Sequence, residues 1–126
     1  MKDLKELEPI YLQKFDVKVN QYLSLSQIQK IIDEVLLVEN FEERESIIDY
    51  LILCYCTDIG KDTIDRLGPD IFIQSGLMDE VKANIKNLAR LFDGIQYHES
   101  TGKALRMIAK NIPENFGANF KNGISK

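Results

Sequence analysis

Tryptophan is absent from the chain, histidine occurs once, cysteine twice and proline three times, and no long apolar run is present. A membrane-spanning helix requires about 18 or more consecutive apolar residues, so no transmembrane segment is predicted. The N-terminal stretch MKDLKELEPIYLQ mixes acidic and basic residues and lacks the apolar core of a signal peptide. The sequence therefore predicts an intracellular protein that does not use a membrane.

The two cysteines, Cys54 and Cys56, are separated by one residue. On a helix, positions i and i+2 lie about 200° apart, so the two sulfur atoms cannot bind the same metal ion. On a strand they would share a face, but no second histidine or further cysteine completes a metal site. We predict that both cysteines act as small apolar packing residues.

Motifs that carry chemistry are also missing. The sequence contains no GxGxxG, GxxxxGK[ST], HExxH or GxSxG pattern. The single histidine, His98, is interpreted as a surface or packing residue, and the trio Asp58, Asp62 and Asp65 as a solvated acidic face without the glycine and glutamate of a calcium loop. No catalytic, cofactor-binding or metal-binding residue is predicted, and we expect a protein that is not an enzyme and has no small-molecule substrate.

Composition and charge indicate one soluble globular domain. Of the 126 residues, 44% are apolar and 29% are charged, and the net charge is −4. Residues 33–80 hold thirteen acidic and three basic residues, whereas residues 101–126 hold five basic residues and one acidic residue. An acidic body disfavours nucleic acid as the main partner. The basic end of the chain either docks on a neighbour's acidic face or is simply solvated.

The N-terminal region contains a short alternating pattern. Phe15, Val17 and Val19 alternate with polar residues, which favours a half-buried strand or extended arm. The alternative is a short helix, with Ile10, Tyr11, Phe15 and Lys18 at helical spacing. A lone strand has unpaired edges, so it needs a hairpin partner or another subunit.

Two longer helices follow. Ser24 and Gln27 form a capping-box pattern, and apolar residues at helical spacing continue to about Val38. The second helix runs from about Glu42 to Thr57 and is apolar nearly all round, which predicts the central, most buried helix. Gly60 is predicted to close it in a left-handed C′ position.

The remaining helical patterns are joined at glycines. Residues 62–67 predict a short helix or a turn, residues 71–75 predict one or two turns of helix, and Gly76 is predicted to form a sharp junction. From Leu77 the helical pattern continues to Ile112, with Gly94 and Gly102 inside it. This region is either two helices with a bend or one long helix with close packing at the glycines.

We therefore expect an all-α fold, a compact helical bundle of about 4–6 helices with a short N-terminal extended segment or strand. The expected organisation is an N-terminal arm over residues 1–14, a helical domain over residues 15–112 and a C-terminal tail over residues 113–126.

Candidate contact residues lie in two groups of opposite charge. Lys103, Arg106 and Lys110 share one helical face, and the apolar residues Phe116 and Phe120 follow four apart in the tail. The basic residues and the two phenylalanines are candidates for protein contact. For the basic residues, the alternatives are a solvated helical face and weak contact with nucleic acid. The candidate acidic face consists of Glu42, Glu43 and Glu45, in the first turn of the second helix.

The segments VKVNQYLSLSQIQKII, IIDYLILCYCTDI, FIQSGLMDEVKANI and YHESTGKAL, in this order, resemble a group of small helical proteins of tailed phages and prophages. The resemblance covers about residues 15–110, and its motifs are packing and capping residues. The positions that carry it are Val17, Lys18, Tyr22, Leu23, Tyr55, Thr57, Ile59, Ser75, Gly76, Leu77, Asp79, Tyr97, Ser100 and Gly102.

This resemblance implies a protein of virion assembly, of the head–tail connector or the tail region, without a defined active site. We expect it to act by contact with itself and with other virion proteins, in a symmetric ring, within the host cytoplasm during assembly and then in the virion. The alternative is a small acidic inhibitor or regulator that binds a host protein, its acidic residues mimicking nucleic acid.

Overall fold

The computed structural model describes the backbone of residues 1–111 and the side chains of residues 1–102. Over this range the protein is mostly helical, with a short two-stranded N-terminal sheet. The chain divides after Ile95 into two units, and the core lies in the first. The elements in chain order are β1 (Ile10–Leu12), β2 (Val17–Val19), α1 (Leu25–Leu36), α2 (Phe41–Cys56), α3 (Lys61–Leu67), α4 (Pro69–Gln74), α5 (Leu77–Ala83) and α6 (Leu88–Asn111).

The predicted strand forms, and its partner is a hairpin strand of the same chain. β1 pairs antiparallel with β2. β1 lies within residues 1–14, the stretch predicted to be an N-terminal arm. Val17 and Val19 are buried while Lys18 is exposed, which confirms the alternation. The short-helix alternative is wrong. Beyond the hairpin, β2 pairs with the chain after α2: the amide of Asn20 donates to Cys56 and that of Asp58 donates to Lys18.

The N-terminus of α1 is fixed by local hydrogen bonds. The amide of Gln27 donates to Ser24 Oγ at 3.1 Å, and the amide of Ser24 donates to Gln27 Oε1 at 3.0 Å. This confirms the predicted capping box. The helix ends at Leu36, slightly earlier than Val38.

The central position of α2 is also confirmed, because this helix contacts α1, α3, α4 and α5. Asn40 caps its N-terminus by accepting from the amide of Glu43 at 3.1 Å. Cys56 is fully buried and Cys54 half-buried, as expected of packing residues. Burial raises the pKa of the Cys56 thiol to about 11.

The prediction for Gly60 is wrong in position. Thr57 is the C-cap of α2, and its extended backbone pairs with Val19. Gly60 lies three residues further on, where it is the N-cap residue of α3 with φ 95° and ψ 139°. The extended pairing of the intervening chain therefore replaces the expected glycine cap.

The prediction for Gly76 is confirmed. Its backbone is left-handed, with φ 83° and ψ 0°, and it separates α4 from α5. Leu77 packs in the core immediately after the turn.

The helical pattern predicted from Leu77 to Ile112 is interrupted at a place that neither alternative gave, because the chain leaves the helix between Ala83 and Leu88. Asn87 explains the break. Its Oδ1 accepts from the amide of Leu23 at 2.9 Å, and its Nδ2 donates to the Leu23 carbonyl at 2.8 Å. The amide of Lys86 donates to Gln21 at 2.8 Å. These bonds join the α5–α6 connection to the chain between β2 and α1.

From Leu88 the structure decides for one continuous helix, α6, rather than two helices with a bend. Gly94 supports close packing, because a Cβ there would lie 2.8 Å from Ile32 Cδ1. Gly102 has nothing within 4 Å of such a Cβ. The predicted end at Ile112 and Pro113 lies outside the described residues.

Candidate functional site

An apolar groove of about 340 Å³ lies beside the central helix α2. Its volume is near the lower end of the range for ligand sites, about 300 Å³. The groove is lined by Glu34, Ser46, Ile47, Asp49, Tyr50, Leu53, Ile64, Asp65, Gly68, Pro69, Ile73 and Met78. We use "inner wall" for Asp49, Leu53 and Met78, and "outer wall" for Ile64, Asp65, Gly68, Pro69 and Ile73.

The inner wall contains an ion pair between two helices. Lys82 Nζ of α5 lies 2.6 Å from Asp49 Oδ1 of α2, and the Lys82 and Asp49 side chains are only 26% and 14% exposed. The angles at this contact are not those of a hydrogen bond, and Asp49 Oδ1 is buried without a hydrogen-bond donor in the described part of the chain. The ammonium therefore compensates the carboxylate mainly by charge.

The outer wall is built from two short helices joined by one glycine. Gly68 is the C-cap of α3 and also the residue before α4, and Pro69 occupies the first turn of α4, where its missing N–H costs nothing. Phe72 of α4 is buried in the core. Ile73 lines the groove, yet 53% of its surface stays exposed. The outer wall thus presents an aliphatic side chain to any molecule that enters.

A polar cluster lies where α2 faces α3. The Tyr50 phenol interacts with the Asp65 carboxylate, and hydrogen bonding to that carboxylate, followed by burial, raises the pKa of Tyr50 to about 12. Lys61 Nζ lies 3.2 Å from Asp65 Oδ2. The hydrogen bonds from Tyr50 and then Lys61 hold the pKa of Asp65 below its ordinary value. Asp65 is therefore a carboxylate that already has its partners.

A shallow acidic depression adjoins the groove. It is lined by Asn40, Glu42, Glu43, Ser46 and Ile47, of which Ser46 and Ile47 also line the groove. Glu34, Glu42 and Glu43 are exposed, and we call these three residues the acidic rim. None of the three forms an ion pair within the described range.

The predicted site residues are only partly brought together. Glu42 and Glu43 share the depression, whereas Glu45 does not line it. The backbone of Lys103, Arg106 and Lys110 belongs to α6, but their side chains are not described, and Phe116 and Phe120 lie outside the described residues. Asp58, Asp62 and Asp65 do not share one helical face. Asp58 lies after the end of α2, and its carboxylate accepts a hydrogen bond from the amide of Lys18.

Sequence reasoning missed the groove and its inner ion pair. The available signal was Asp49, an acidic residue inside a helix that is otherwise apolar nearly all round. A charge in that position requires a partner. The sequence does not say that Lys82 supplies it.

Among residues that the structure describes, no three His, Cys, Asp or Glu side chains cluster in a way that suits a metal ion. No helix of the described part combines the length and apolarity that a bilayer crossing demands. The arrangement of the groove is suited to holding apolar side chains beside basic ones.

No protein-family model, curated protein or solved structure matches this chain. The function is therefore inferred from the groove, the charge distribution and the sequence motifs.

Proposed function

We propose that this chain is a non-enzymatic phage protein of virion structure or assembly that acts through protein–protein contacts. The observation that carries the proposal is the apolar groove, with the half-exposed Ile73 on one side and the acidic rim next to it. An apolar cleft bordered by charge is a common form of protein-binding surface.

Other exposed apolar side chains support the same conclusion. Leu37 is 86% exposed and Phe41 is 73% exposed, and both lie at the connection between α1 and α2. A large exposed phenylalanine beside an exposed leucine costs solubility unless another molecule covers it. The connection between α1 and α2 is therefore a second candidate contact surface in addition to the groove.

In this proposal the fold is a helical bundle around α2 that repeats about an axis as a ring, in a head–tail connector or in the tail. The left-handed turn at Gly76 and the glycine between α3 and α4 replace long loops, which makes a stiff subunit. Assembly takes place in the host cytoplasm, and the finished ring is part of the virion. The partners are further copies of this chain and other virion proteins.

Size-exclusion chromatography with light scattering tests this function, together with mass spectrometry of purified particles from the host that carries the gene. We expect a defined oligomer and a constant copy number in particles or assembly intermediates. A protein that stays monomeric at high concentration and is absent from both would contradict the proposal.

The second candidate is an acidic inhibitor that binds a basic groove of a host protein. It is favoured by Glu42 and Glu43, which are exposed side by side in the first turn of α2. The test is capture from host lysate by the wild type and by a Glu42→Lys/Glu43→Lys variant. The matched control is Asp79→Lys/Glu80→Lys, which makes the same change in the first turn of α5. If the chain inhibits by mimicking nucleic acid, the wild type and the Asp79→Lys/Glu80→Lys control should capture the same host protein, and the Glu42→Lys/Glu43→Lys variant should not.

A further inference from the structure

The groove has a chemistry that defines its occupant. Ile47, Leu53 and Met78 supply an apolar lining, and Ile73 adds an exposed aliphatic edge. The occupant must therefore insert apolar side chains. The aliphatic and aromatic side chains that fill such clefts supply most of the binding free energy at protein interfaces.

The charges around the groove limit the occupant further. Asp49 is compensated by Lys82, and Asp65 by Tyr50 and Lys61. The acidic rim remains uncompensated within the described residues. An occupant with lysine or arginine next to its apolar anchors would match this surface, because opposite potentials favour docking and fix its direction.

The chain itself contains a segment of this kind. Residues 113–126 read PENFGANFKNGISK, in which Phe116 and Phe120 are followed directly by Lys121. The stretch that precedes it carries Lys103, Arg106 and Lys110. Over residues 101–126 the net charge is +4, against −10 over residues 33–80.

We propose that the groove is the docking site for residues 113–126 of a second copy of this chain, with Phe116 and Phe120 as its apolar anchors. The inference rests on the proposed assembly function and names the contact through which copies join. Lys121 lies against the acidic rim once Phe120 occupies the groove. Each copy gives its C-terminal segment to one neighbour and receives that of the other, which is a head-to-tail contact that closes into a ring.

Two variants remove the two halves of this contact. Phe116→Ala/Phe120→Ala removes the anchors, and Ile73→Glu places a charge in the groove. Ile71→Glu is the matched control for the second, since Ile71 is a 47% exposed isoleucine of the same helix that does not line the groove. Phe92→Ala, at an exposed phenylalanine of α6, is the control for the first.

The measurement is sedimentation velocity or light scattering on the full-length proteins. We expect the wild type and both controls to assemble. Ile73→Glu and the double phenylalanine variant should each be monomeric, with affinity lowered by at least about thirtyfold, the size expected when an interface hot spot is lost. Circular dichroism melting checks that each variant is folded.

Mixing the two defective variants gives the decisive result. Each retains the half that the other lacks, so one intact contact forms between them, and the mixture should contain a one-to-one dimer and nothing larger. Docking of the segment on its own chain predicts that the wild type is monomeric even though the mixture contains a dimer, and a groove filled by another protein predicts a monomeric wild type and no dimer in the mixture; either result overturns the inference.

The inference and the function fail in different ways. If the wild type assembles and both variants assemble equally well, the docking segment is wrongly assigned while the assembly function stands. If the protein is absent from particles and intermediates, the assembly function fails whatever these variants do.

Discussion

The two walls of the groove contain the same chemistry in different surroundings. Each has a lysine–aspartate ion pair: Lys82 with Asp49 in the inner wall, and Lys61 with Asp65 beside the outer wall. The first joins two helices distant in sequence and is mostly buried. The second joins positions i and i+4 of one short helix, with side chains 71% and 46% exposed. The comparison leads us to expect that the inner wall depends on its ion pair, whereas the outer wall depends on its backbone conformation.

The largest expected effect comes from removing each lysine in turn. Lys82→Met leaves the mostly buried Asp49 carboxylate without a compensating charge, and we expect a loss of about 2 kcal/mol in the free energy of unfolding. Lys61→Met removes an exposed, solvent-screened pair, and we expect a much smaller loss. Urea denaturation of the two variants beside the wild type measures both values.

The double variant Asp49→Asn/Lys82→Met sharpens this result. If the cost of Lys82→Met comes from the uncompensated carboxylate, then neutralising Asp49 should restore at least about 1 kcal/mol of it. Equal losses for Lys82→Met and Lys61→Met, or no recovery in the double variant, would show that the buried pair does not hold the inner wall.

The outer wall should respond to backbone changes instead. Gly68 has φ 78° and ψ 168°, a region that is essentially restricted to glycine, whereas Gly76 has a left-handed backbone that other residues occasionally adopt. A Cβ at either position would meet nothing within 4 Å, so substitution changes backbone energy without a clash. We expect Gly68→Ala to cost about 2 kcal/mol and Gly76→Ala about 1 kcal/mol.

Thermal melting and urea denaturation test this order. Gly102→Ala is the control, since Gly102 lies inside α6 with open space around it, and alanine there should stabilise by about 1 kcal/mol. A cost at Gly76 that exceeds the cost at Gly68 would contradict the assignment. For Gly76→Val we expect a loss of at least about 1 kcal/mol, because a β-branched residue tolerates this backbone poorly.

The same contrast explains what the sequence predicts and what it does not. The cap at Ser24 is predictable because its partner Gln27 is three residues away and the chemistry is entirely local. The left-handed turn at Gly76 is predictable for the same reason. The break at Asn87 is not, because its hydrogen bonds run to Leu23, which is 64 residues away.

The groove, like the break at Asn87, depends on contacts between residues that are far apart in the sequence. Its lining residues come from α1, α2, α3, α4 and α5, and no local pattern says that Ile73 of α4 stays half-exposed while Phe72 beside it is buried. The error at Gly60 has a similar origin, since a long-range pairing of Thr57 with Val19 replaced the local glycine cap. Local rules therefore predict the helices and their caps, and the site arises from how the helices pack.

The smallest expected effect concerns the polar cluster between the walls. The hydrogen bond to Asp65 favours the neutral phenol of Tyr50 and raises the pKa of Tyr50 from about 10 to about 12. A raised pKa in the folded state contributes stability that is complete below pH 10 and is lost as the pH rises to about 12. The wild type should therefore lose more stability over this interval than Tyr50→Phe does.

Urea denaturation from pH 8 to pH 12 measures that difference. Ionisation of the Cys56 thiol, which has a pKa of about 11, also lowers the stability of the protein at alkaline pH. This loss is the same in wild type and Tyr50→Phe, so it cancels in the comparison. At acid pH a second loss is expected. Hydrogen bonding to Tyr50 is the main cause that lowers the pKa of Asp65 in the folded state, so the stability that wild type has over Tyr50→Phe should also fall as the pH drops through the pKa of Asp65 and the carboxylate is protonated. Tyr22→Phe removes an exposed phenol as the control. A gap between wild type and Tyr50→Phe that stays constant at every pH would mean that Tyr50 and Asp65 do not titrate as a pair, and the outer wall would then rest on its two glycine-joined helices alone.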